Sequence, residues 1–496
     1  MATPFMQAPC RTGQVPDIHS PGQPVRTPEP RRLLLVHDAT RVATLDDAGS
    51  ELHDASLLIE NGRIAMLAER SDRSAIEEIE AACAAAAIVE RIDARGHVVL
   101  PGLVNTHHHL FQTLTRALPA AQDAELFGWL TALYPVWARY DPPAFVTAAR
   151  TGIAELLLSG CTTTSDHQYL FPPGVRLDDT IVAAREMGIR FHACRGAMSV
   201  GRSSGGLPPD SLAENEDSIL EDMARVVAAH HDPRPFAMTR VALAPCSPFS
   251  VSRELMRKSA ELARSLGVRL HTHLAENQHD VDYTRERFGQ TPAEYAESLG
   301  WLGPDVWHAH CVKLDAAGEQ RFAATGTGIA HCPCSNMRLA SGIAPVPGWL
   351  RAGIRVGIGV DGSASNDSGD LLAETRQAML LARVGAGPGA MSARAALRIA
   401  TRGGASVLGR DDIGAIAPGM AADLAIFAID RLASAGAAAS EDPIGALVFC
   451  APARASWTIV DGRIVVERGQ LVSADEVLLA ADQRAAWLRV KRATLA

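Results

Sequence analysis

The chain contains 496 residues, of which 47% are hydrophobic and 21% charged, and its formal net charge at pH 7 is −9. This length predicts one large domain with a smaller one beside it. The acidic balance argues against a surface for nucleic acid or anionic membranes, and the most apolar stretch, AACAAAAIVE, is too short to span a bilayer. Nine scattered cysteines do not form a disulfide pattern, so we expect a cytoplasmic protein.

The two ends of the chain carry related β-rich patterns. Residues 1–30 contain seven prolines and no apolar core, which predicts a disordered extension rather than a signal peptide. Residues 31–99 alternate short strands with turns, including the hairpin signal Asn61-Gly62, and residues 411–475 repeat this pattern with Asp461-Gly462. Because each segment alone is short for a stable β domain, we predict that they pair into one small β-sandwich domain.

The middle of the chain, residues 100–410, shows a different pattern. Apolar strand-like segments alternate there with helical segments; the strands are HVVLPGLVNTH, GCTTTSDH, IRFHACRGA, RVALAPCSPF, VRLHTHLAE, VWHAHCV, GIAHCPCSN and RVGIGVDGS. This alternation of eight strands with helices predicts an α/β fold, a (β/α)8 TIM barrel. A doubly wound parallel sheet is the alternative, but no Gly-rich phosphate-binding turn follows any of these strands. Residues 476–496 predict a C-terminal helix.

Chemically capable side chains concentrate where the predicted barrel strands end, which is where TIM barrels carry their catalytic groups. The residues concerned are His107, His109, Asp166, His167, His271, His273, Glu276, His308, His310, His331, Cys332 and Asp361. If the 17 histidines had purely structural roles, we would expect their positions to bear no relation to the strand ends. We therefore expect a metal or catalytic centre, and a set of imidazoles with a carboxylate suits zinc or another first-row divalent ion.

The triplet His107 to His109 raises the question of which rings face the ion. His107 and His109 stand two residues apart on a strand and so point to the same face, whereas His108 points away and is expected to pack or to support. Cys332 and Cys334 lack a second cysteine pair and are expected to belong to the barrel wall.

Four motifs, in this order and spacing, resemble the amidohydrolase superfamily: PGLVNTHHH, HTHLAE, HAHCV and GVDGSASND. They are most similar to its mononuclear nucleobase and triazine deaminase branch, and the resemblance extends from about residue 31 to residue 470. Within that branch, the segments ELFGWLTALYPVWAR, ALAPCSPFSV and HCPCSNMRLASG resemble 8-oxoguanine deaminases.

The resemblance implies a role for each of six residues. It assigns one divalent metal ion to His107, His109, His273 and Asp361. It makes Glu276 the proton shuttle, His310 the residue that orients the metal-bound water, and Asp361 the acceptor of the remaining proton. His308 and His331 are then expected to be supporting or structural residues.

The number and kind of metal ion follow from the same comparison. Two-metal members of the superfamily use a carbamylated lysine near the end of strand four, where this chain has ALAPCSPF and its nearest lysine, Lys258, lies in the next helix. A single ion is therefore expected, zinc in the first place, with iron as the alternative because nitrogen and oxygen ligands accept both. The family also implies a homo-oligomer.

Four residues are candidates for contact with a small-molecule substrate, a free nucleobase. Gln112 offers both a donor and an acceptor for the edge of a purine. Trp129 could cover a flat ring, or could be plain core. Arg195 could contact a ring carbonyl, or could form an ion pair at the barrel rim. Cys246 stands where relatives acting on ribose-bearing substrates have histidine, which favours a free base.

Three functions remain open at this point. The favoured one is hydrolysis of 8-oxoguanine to urate and ammonia. The second is deamination of guanine or of an s-triazine such as hydroxylated atrazine. The third is a non-catalytic barrel protein, which predicts loss of a ligand or of Glu276, although all are present. The Gly-, Ser- and Pro-rich segment 200–217 is expected to be a mobile loop over the barrel mouth.

Overall fold

A computed structural model describes residues 32–438, 441–450 and 452–495. The predicted Pro-rich extension, residues 1–30, lies outside the described residues. Within the described residues, none of the helices combines the length and the apolar character needed to cross a membrane.

The N-terminal part forms five strands and one helix. These are β1 (Arg32–Ala43), β2 (Glu51–Glu60), β3 (Arg63–Glu69), α1 (Arg73–Ala85), β4 (Ile88–Asp93) and β5 (His97–Pro101). β1 pairs antiparallel with β2, and β2 with β3, whereas β4 and β5 run parallel to β1.

Eight parallel strands of the described chain close the predicted barrel, in the order β10-β11-β12-β13-β14-β6-β8-β9. The strands of this region are β6 (Leu103–Asn105), β7 (His108–His109), β8 (Cys161–Gln168), β9 (Arg190–Ala197), β10 (Thr239–Pro245), β11 (Arg269–Leu274), β12 (Val306–His310), β13 (Gly328–His331), β14 (Arg355–Ile358) and β15 (Asp361–Gly362). Among the described residues, β7 and β15 form a separate two-stranded sheet. The TIM-barrel fold predicted from the alternating pattern is thus confirmed.

Helices surround the barrel and fill its connections. They are α2 (Leu126–Trp137), α3 (Pro142–Leu158), α4 (Leu177–Met187), α5 (Glu216–His230), α6 (Arg253–Leu266), α7 (Gln278–Phe288), α8 (Pro292–Ser298), α9 (Ala316–Thr325), α10 (Pro333–Arg338), α11 (Val346–Arg351), α12 (Leu371–Ala386), α13 (Ala393–Arg398) and α14 (Gly404–Val407). Short 3₁₀ turns span Leu110–Thr115, Pro119–Ala121, Arg202–Ser204 and Asp210–Leu212, and a π turn spans Ile399–Gly403. Ser252 caps α6 by accepting a hydrogen bond from the N–H of Leu255.

The C-terminal part returns to the first sheet. Its elements are β16 (Leu424–Ala428), α15 (Ala435–Ala438), α16 (Pro443–Phe449), β17 (Trp457–Val460), β18 (Arg463–Glu467), β19 (Gln470–Leu471) and α17 (Glu476–Leu495). β16 pairs antiparallel with β5, so strands from both chain ends join in one sheet, nine-stranded among the described residues. Buried apolar side chains of β1, β2, β5, β16 and β17 pack together in one hydrophobic cluster against this sheet.

The segment predicted as the first barrel strand belongs to two sheets. β5 stays in the sheet formed by the chain ends, and β6 begins the barrel two residues later. Gly102 lies between them, and a Cβ at this position would overlap the side chain of Thr162. Only glycine therefore allows the chain to pass this closely from one sheet to the other.

The two predicted hairpins form, and their turns touch each other. Asn61 and Gly62 have φ angles of 51° and 76°, and Asp461 and Gly462 have 50° and 74°, as a two-residue turn with left-handed conformation requires. A Cβ on Gly462 would lie 2.8 Å from the Cα of Gly62. The contact fastens the N-terminal hairpin to the C-terminal one.

Candidate metal centre

Hydrogen bonds between the first and last barrel strands position the ligand candidates at the barrel mouth. The side-chain Oδ1 of Asn105, the last residue of β6, accepts the N–H of Val360 at 2.9 Å. Just beyond, β7 pairs with β15 and sets His108 opposite Asp361. Asp361 has a left-handed φ of 60°. This conformation is uncommon for residues other than glycine and is concentrated at functional sites.

Four side-chain atoms converge at this point. The Nε2 atoms of His107 and His109 each lie 3.2 Å from Oδ1 of Asp361. The Nε2 atoms of His109 and His273 are 3.1 Å apart. All four residues are buried, with His273 the most exposed at 8%.

Backbone acceptors fix two of these rings so that Nε2 faces inward without a proton. His109 donates Nδ1–H to the carbonyl of His167 at 2.7 Å, and His273 donates Nδ1–H to the carbonyl of Cys246 at 2.6 Å. In a neutral imidazole the other nitrogen then carries only a lone pair. Two lone pairs facing each other at 3.1 Å repel unless a cation lies between them.

The remaining observations also fit a bound cation. Nε2 of His107 is buried and has no hydrogen-bond partner among the described residues. Burial lowers the pKa of His107 to about 3 and takes that of His273 well below its usual value, aided by neighbouring histidines. Burial acts to raise the pKa of Asp361, but the adjoining rings of His107, His109 and His310 outweigh it and hold the pKa well below its ordinary value. Three imidazoles and one carboxylate thus face one point, which is a ligand set suited to a divalent transition metal.

His167 lies close enough to form an overlapping cluster with His107, His109 and His273. Its Nε2 donates to the carbonyl of Ala244 at 2.7 Å, and its ring stacks on His273 with the centroids 4.9 Å apart. This stacking supports the ring of His273. β10, the fourth barrel strand, ends at Pro245 and is followed by Cys246.

Glu276 and His310 lie beside the cluster. His310 Nε2 is 3.6 Å from Oε2 of Glu276 and 3.8 Å from Oδ2 of Asp361, while its Nδ1 bonds to Oδ1 of Asn336 at 3.0 Å. The backbone N–H of Glu276 is held by the carboxylate of Asp280 at 2.8 Å. Burial, together with the charges of Asp361 and Asp280, raises the pKa of Glu276 well above its ordinary value. A carboxyl group with a raised pKa binds a proton more readily than an ordinary glutamate and can transfer it to a neighbouring group.

A narrow cavity opens onto these groups. Its lining consists of His109, Gln112, Leu126, Trp129, Leu130, Tyr134, Tyr169, Cys246, Ser247, Phe249, His273, Glu276, His310, Leu339, Asp361 and Ser365. The structure therefore brings three of the four predicted substrate contacts, Gln112, Trp129 and Cys246, to one place with the ligand candidates. Aromatic and aliphatic side chains form much of the wall, as in sites for flat apolar rings.

Hydrogen bonds hold two of the polar groups in this wall. Gln112 bonds through Nε2 to the hydroxyl of Tyr169 and through Oε1 to the N–H of Ala364, both at 3.4 Å. Trp129 donates its indole N–H to the carbonyl of Ala364 at 3.0 Å. Burial raises the pKa of Cys246 to about 12, so this residue presents a thiol rather than a thiolate.

Sequence reasoning missed Tyr134, Tyr169 and Asn336. Tyr169 follows the predicted strand end at His167 by two residues, and this position was the one signal available for it. Tyr134 and Asn336 lie in α2 and α10, where nothing in the sequence separates a wall residue from core.

Arg195 is not brought to the cavity, so its predicted contact with the substrate is not supported. Its guanidinium bonds to Glu214 and Asp222, each at 2.7 Å, and lies over the ring of Phe171 at 3.7 Å. The side chain of the adjacent Cys194 contacts Ser165 on the neighbouring strand. Because consecutive side chains alternate along a strand, Cys194 and Arg195 point to opposite faces of β9. The alternative prediction for Arg195, an ion pair at the rim, matches this geometry.

The segment 200–217 contributes no side chain to the described cavity lining, whereas α2 does. At the start of α2, Phe127 stacks against Phe249 and His279 with centroids 5.0 and 4.9 Å apart. Glu125 and His279 form an ion pair at 3.3 Å. Side chains of α2 thus form part of the cavity wall, and a loop over the barrel mouth remains a prediction for segment 200–217.

Comparison with known families gives one match to a family model. The model of the amidohydrolase family matches residues 98–465. This range contains every ligand candidate and the whole cavity lining.

Individual proteins resemble the chain over most of its length. It is 46% identical to 8-oxoguanine deaminase of Pseudomonas aeruginosa strain PAO1, covering 89% of this chain and 95% of the relative. It is 38% identical to hydroxydechloroatrazine ethylaminohydrolase of Pseudomonas sp. strain ADP, covering 89% and 92%. The crystal structure of atrazine chlorohydrolase from Arthrobacter aurescens TC1 in complex with zinc superposes with a TM-score of 0.84 at 36% identity, covering 92% of this chain and all of the other.

Proposed function

We propose that this chain, which belongs to the amidohydrolase family and is a hydrolase of carbon–nitrogen bonds, removes the amino group of a heteroaromatic base as ammonia. The substrate that we propose is 8-oxoguanine, with urate as the second product. The observation that carries the deaminase proposal is the position of Glu276, whose carboxyl lies both in the cavity wall and beside the His–Asp cluster.

We further propose that His107, His109, His273 and Asp361 bind one divalent ion, zinc by preference. When bound, such an ion lowers the pKa of a water molecule toward neutrality and so supplies a nucleophile at pH 7. The ion would then be held by three imidazole nitrogens and one carboxylate oxygen.

In this proposal Glu276 and His310 move and hold protons. Glu276 takes one proton from the attacking water and delivers it to the ring nitrogen next to the amine-bearing carbon. Its raised pKa makes the carboxylate a stronger proton acceptor than that of an ordinary glutamate. His310, anchored by Asn336, faces Glu276 and Asp361 and orients the attacking water between them. Asp361 takes the second proton and passes it to the leaving nitrogen, and the carbon–nitrogen bond then breaks to give ammonia and a ring carbonyl.

The cavity wall supports a free base rather than a nucleoside. Gln112 presents an amide that can both donate and accept at a purine edge, and Trp129 offers a flat apolar surface. Cys246 lines the cavity with a small thiol, where the resemblance described above implies histidine for relatives that act on ribose-bearing substrates. The similarity to an 8-oxoguanine deaminase points the same way.

The second candidate is an s-triazine or guanine as substrate. It is supported by the similarity to a triazine aminohydrolase and to a zinc-containing atrazine chlorohydrolase, which cover as much of the chain. These substrates are also flat amine-bearing heterocycles, so the same proton transfers apply to them.

The test is ammonia release from the purified zinc-loaded protein with 8-oxoguanine, guanine, adenine, cytosine and a hydroxylated triazine at equal concentration. The Glu276→Gln variant, purified in the same way, controls for contaminating deaminases. Preference for 8-oxoguanine is the expected result. If only guanine or the triazine is turned over, that compound replaces 8-oxoguanine as the proposed substrate. If none of the compounds is turned over, the proposed deaminase activity is contradicted.

A further inference from the structure

A buried histidine outside the proposed ligand set contacts one of the ligands directly. His271 lies on β11, two residues before His273, and is fully buried. Its Nε2 is 2.8 Å from Nδ1 of His107. Its own Nδ1 is 3.0 Å from the backbone carbonyl of Trp307.

The carbonyl of Trp307 determines where the protons lie. A carbonyl oxygen only accepts, so Nδ1 of His271 carries a hydrogen and donates it. In the neutral ring, Nε2 of His271 is then an acceptor, and Nδ1 of His107 must be the donor in the bond between the two rings. This leaves Nε2 of His107 as a free lone pair directed at the cluster, 3.2 Å from Asp361.

We infer that His271 is a positioning residue that fixes the tautomer and the ring orientation of His107. This inference rests on the proposed function, because it concerns the proposed metal ligand. The other two rings of the set need no such residue, since His109 and His273 donate to backbone carbonyls. A hydrogen bond to the second nitrogen of a metal-binding histidine holds the ring and raises its affinity for the ion.

Trp307 makes the arrangement rigid. Its ring stacks on His271 with the centroids 4.4 Å apart and an interplanar angle of 12°. Its indole N–H donates to the carbonyl of Thr106 at 3.1 Å, directly before His107 in the chain. One side chain therefore holds both the supporting ring and the backbone of the ligand it supports.

Zinc affinity of the purified protein tests the inference without reference to any substrate. His271→Leu removes the acceptor and is expected to weaken zinc binding by about 10–100-fold, measured by competition with a chromophoric chelator. His271→Gln places an amide oxygen near the former Nε2 and should restore affinity to within a few-fold of the wild type. His308→Leu is the matched control, because His308 is an equally buried histidine on the neighbouring strand whose Nε2 bonds to the carbonyl of Trp301.

The visible absorption spectrum of the cobalt-substituted proteins gives a second readout. It should change in His271→Leu, and remain as in the wild type in His308→Leu, because only the former alters a ligand ring. If His271→Leu fails to fold, His271→Met, which is flexible and lacks a strong acceptor, takes its place. Unchanged affinity and spectrum in the folded variant would overturn the inference, whereas failure of the wild type to bind zinc or cobalt would overturn the proposed metal site itself.

Discussion

The Nε2 atoms of His109 and His273 lie 3.1 Å apart, although each ring already donates its Nδ1–H to a backbone carbonyl. When both rings are neutral, neither atom can offer a proton to the other, and a bound cation relieves the contact. We expect zinc to raise the melting temperature of the metal-free protein, because an ion that binds only the folded state stabilises it by mass action. Calorimetry with increasing zinc measures the effect. The control is Asp361→Asn, whose melting temperature should respond much less, and a zinc-independent wild type would contradict the prediction.

The Glu276→Gln substitution should separate metal binding from turnover. The amide cannot carry the proton, so we expect turnover to fall by about 10²–10⁴-fold or more. Metal content by elemental analysis should stay at the wild-type value, because Glu276 is outside the proposed ligand set. Full activity of this variant would refute the role assigned to the carboxyl group.

Arg195 and Gln112 should differ in what their substitution changes. Arg195→Gln breaks a buried ion-pair network with Glu214 and Asp222 and should lower the free energy of unfolding by on the order of 2 kcal/mol, while KM stays the same. Gln112→Leu alters the cavity wall and should raise KM with a smaller effect on stability. Chemical denaturation and steady-state kinetics on both variants measure the contrast. If the KM of the Arg195→Gln variant is raised, the prediction is wrong and Arg195 contributes to substrate binding.

The stability of the protein in acid should depend on Asp412. Burial acts to raise the pKa of Asp412, but the hydrogen bonds from Arg410 outweigh it and hold the pKa at about 2. A carboxyl whose pKa is lower in the folded than in the unfolded state, where it is about 3.9, stabilises the fold above that pH. This contribution, about 2 kcal/mol, is lost as the pH falls through about 2.

The Asp412→Asn variant should therefore have a lower melting temperature than the wild type at pH 7. Between pH 4 and pH 2 its free energy of unfolding should fall by less than that of the wild type. Asp93→Asn is the matched control, because Asp93 also pairs with an arginine two residues away and also has its pKa lowered to about 2 by that arginine. Its side chain is 41% exposed, against 5% for Asp412, so solvent screening should reduce its effect to a few tenths of a kcal/mol. Equal losses in the two variants would show that burial does not govern this effect.

The contact between the two hairpin turns should be sensitive to a single methyl group. Gly462→Ala adds a Cβ that would lie 2.8 Å from the Cα of Gly62, in addition to the cost of a φ of 74°, and should destabilise by about 1–3 kcal/mol. Gly469→Ala has a nearly equal φ of 77°, but its Cβ would meet nothing closer than 3.5 Å. The difference in unfolding free energy between the two variants measures the contact, and no difference would mean that the turns separate without cost.

Much of the fold followed from local patterns. The hairpins at Asn61-Gly62 and Asp461-Gly462 need left-handed residues, which these dipeptides supply wherever the rest of the chain lies. The barrel followed from the alternation of strands and helices. The pairing of residues from both ends in one sheet followed because neither segment could form a stable sheet alone.

The composition of the candidate site was also visible in the sequence. In a closed parallel barrel all strand ends meet at one mouth, so His107, His273, Glu276 and Asp361 could be expected to lie together from their positions alone. The side from which a strand-end residue projects was harder to predict. Arg195 needed only a shift of one residue in the alternation of β9 to move from the cavity to the helix layer, where Glu214 and Asp222 hold it.

The sequence by itself determined the barrel, the sheet built from both ends and the types of side chain at the mouth, because these depend on periodicity and on turn chemistry within short segments. Only the tertiary structure decided that Gly102 separates two sheets, that side chains of α2 line the cavity, and that His271 forms a hydrogen bond with His107. These features depend on the register between strands and on contacts across the barrel. Residues such as Trp307 and Thr106 are far apart in the chain, and nothing local to either one specifies that they meet.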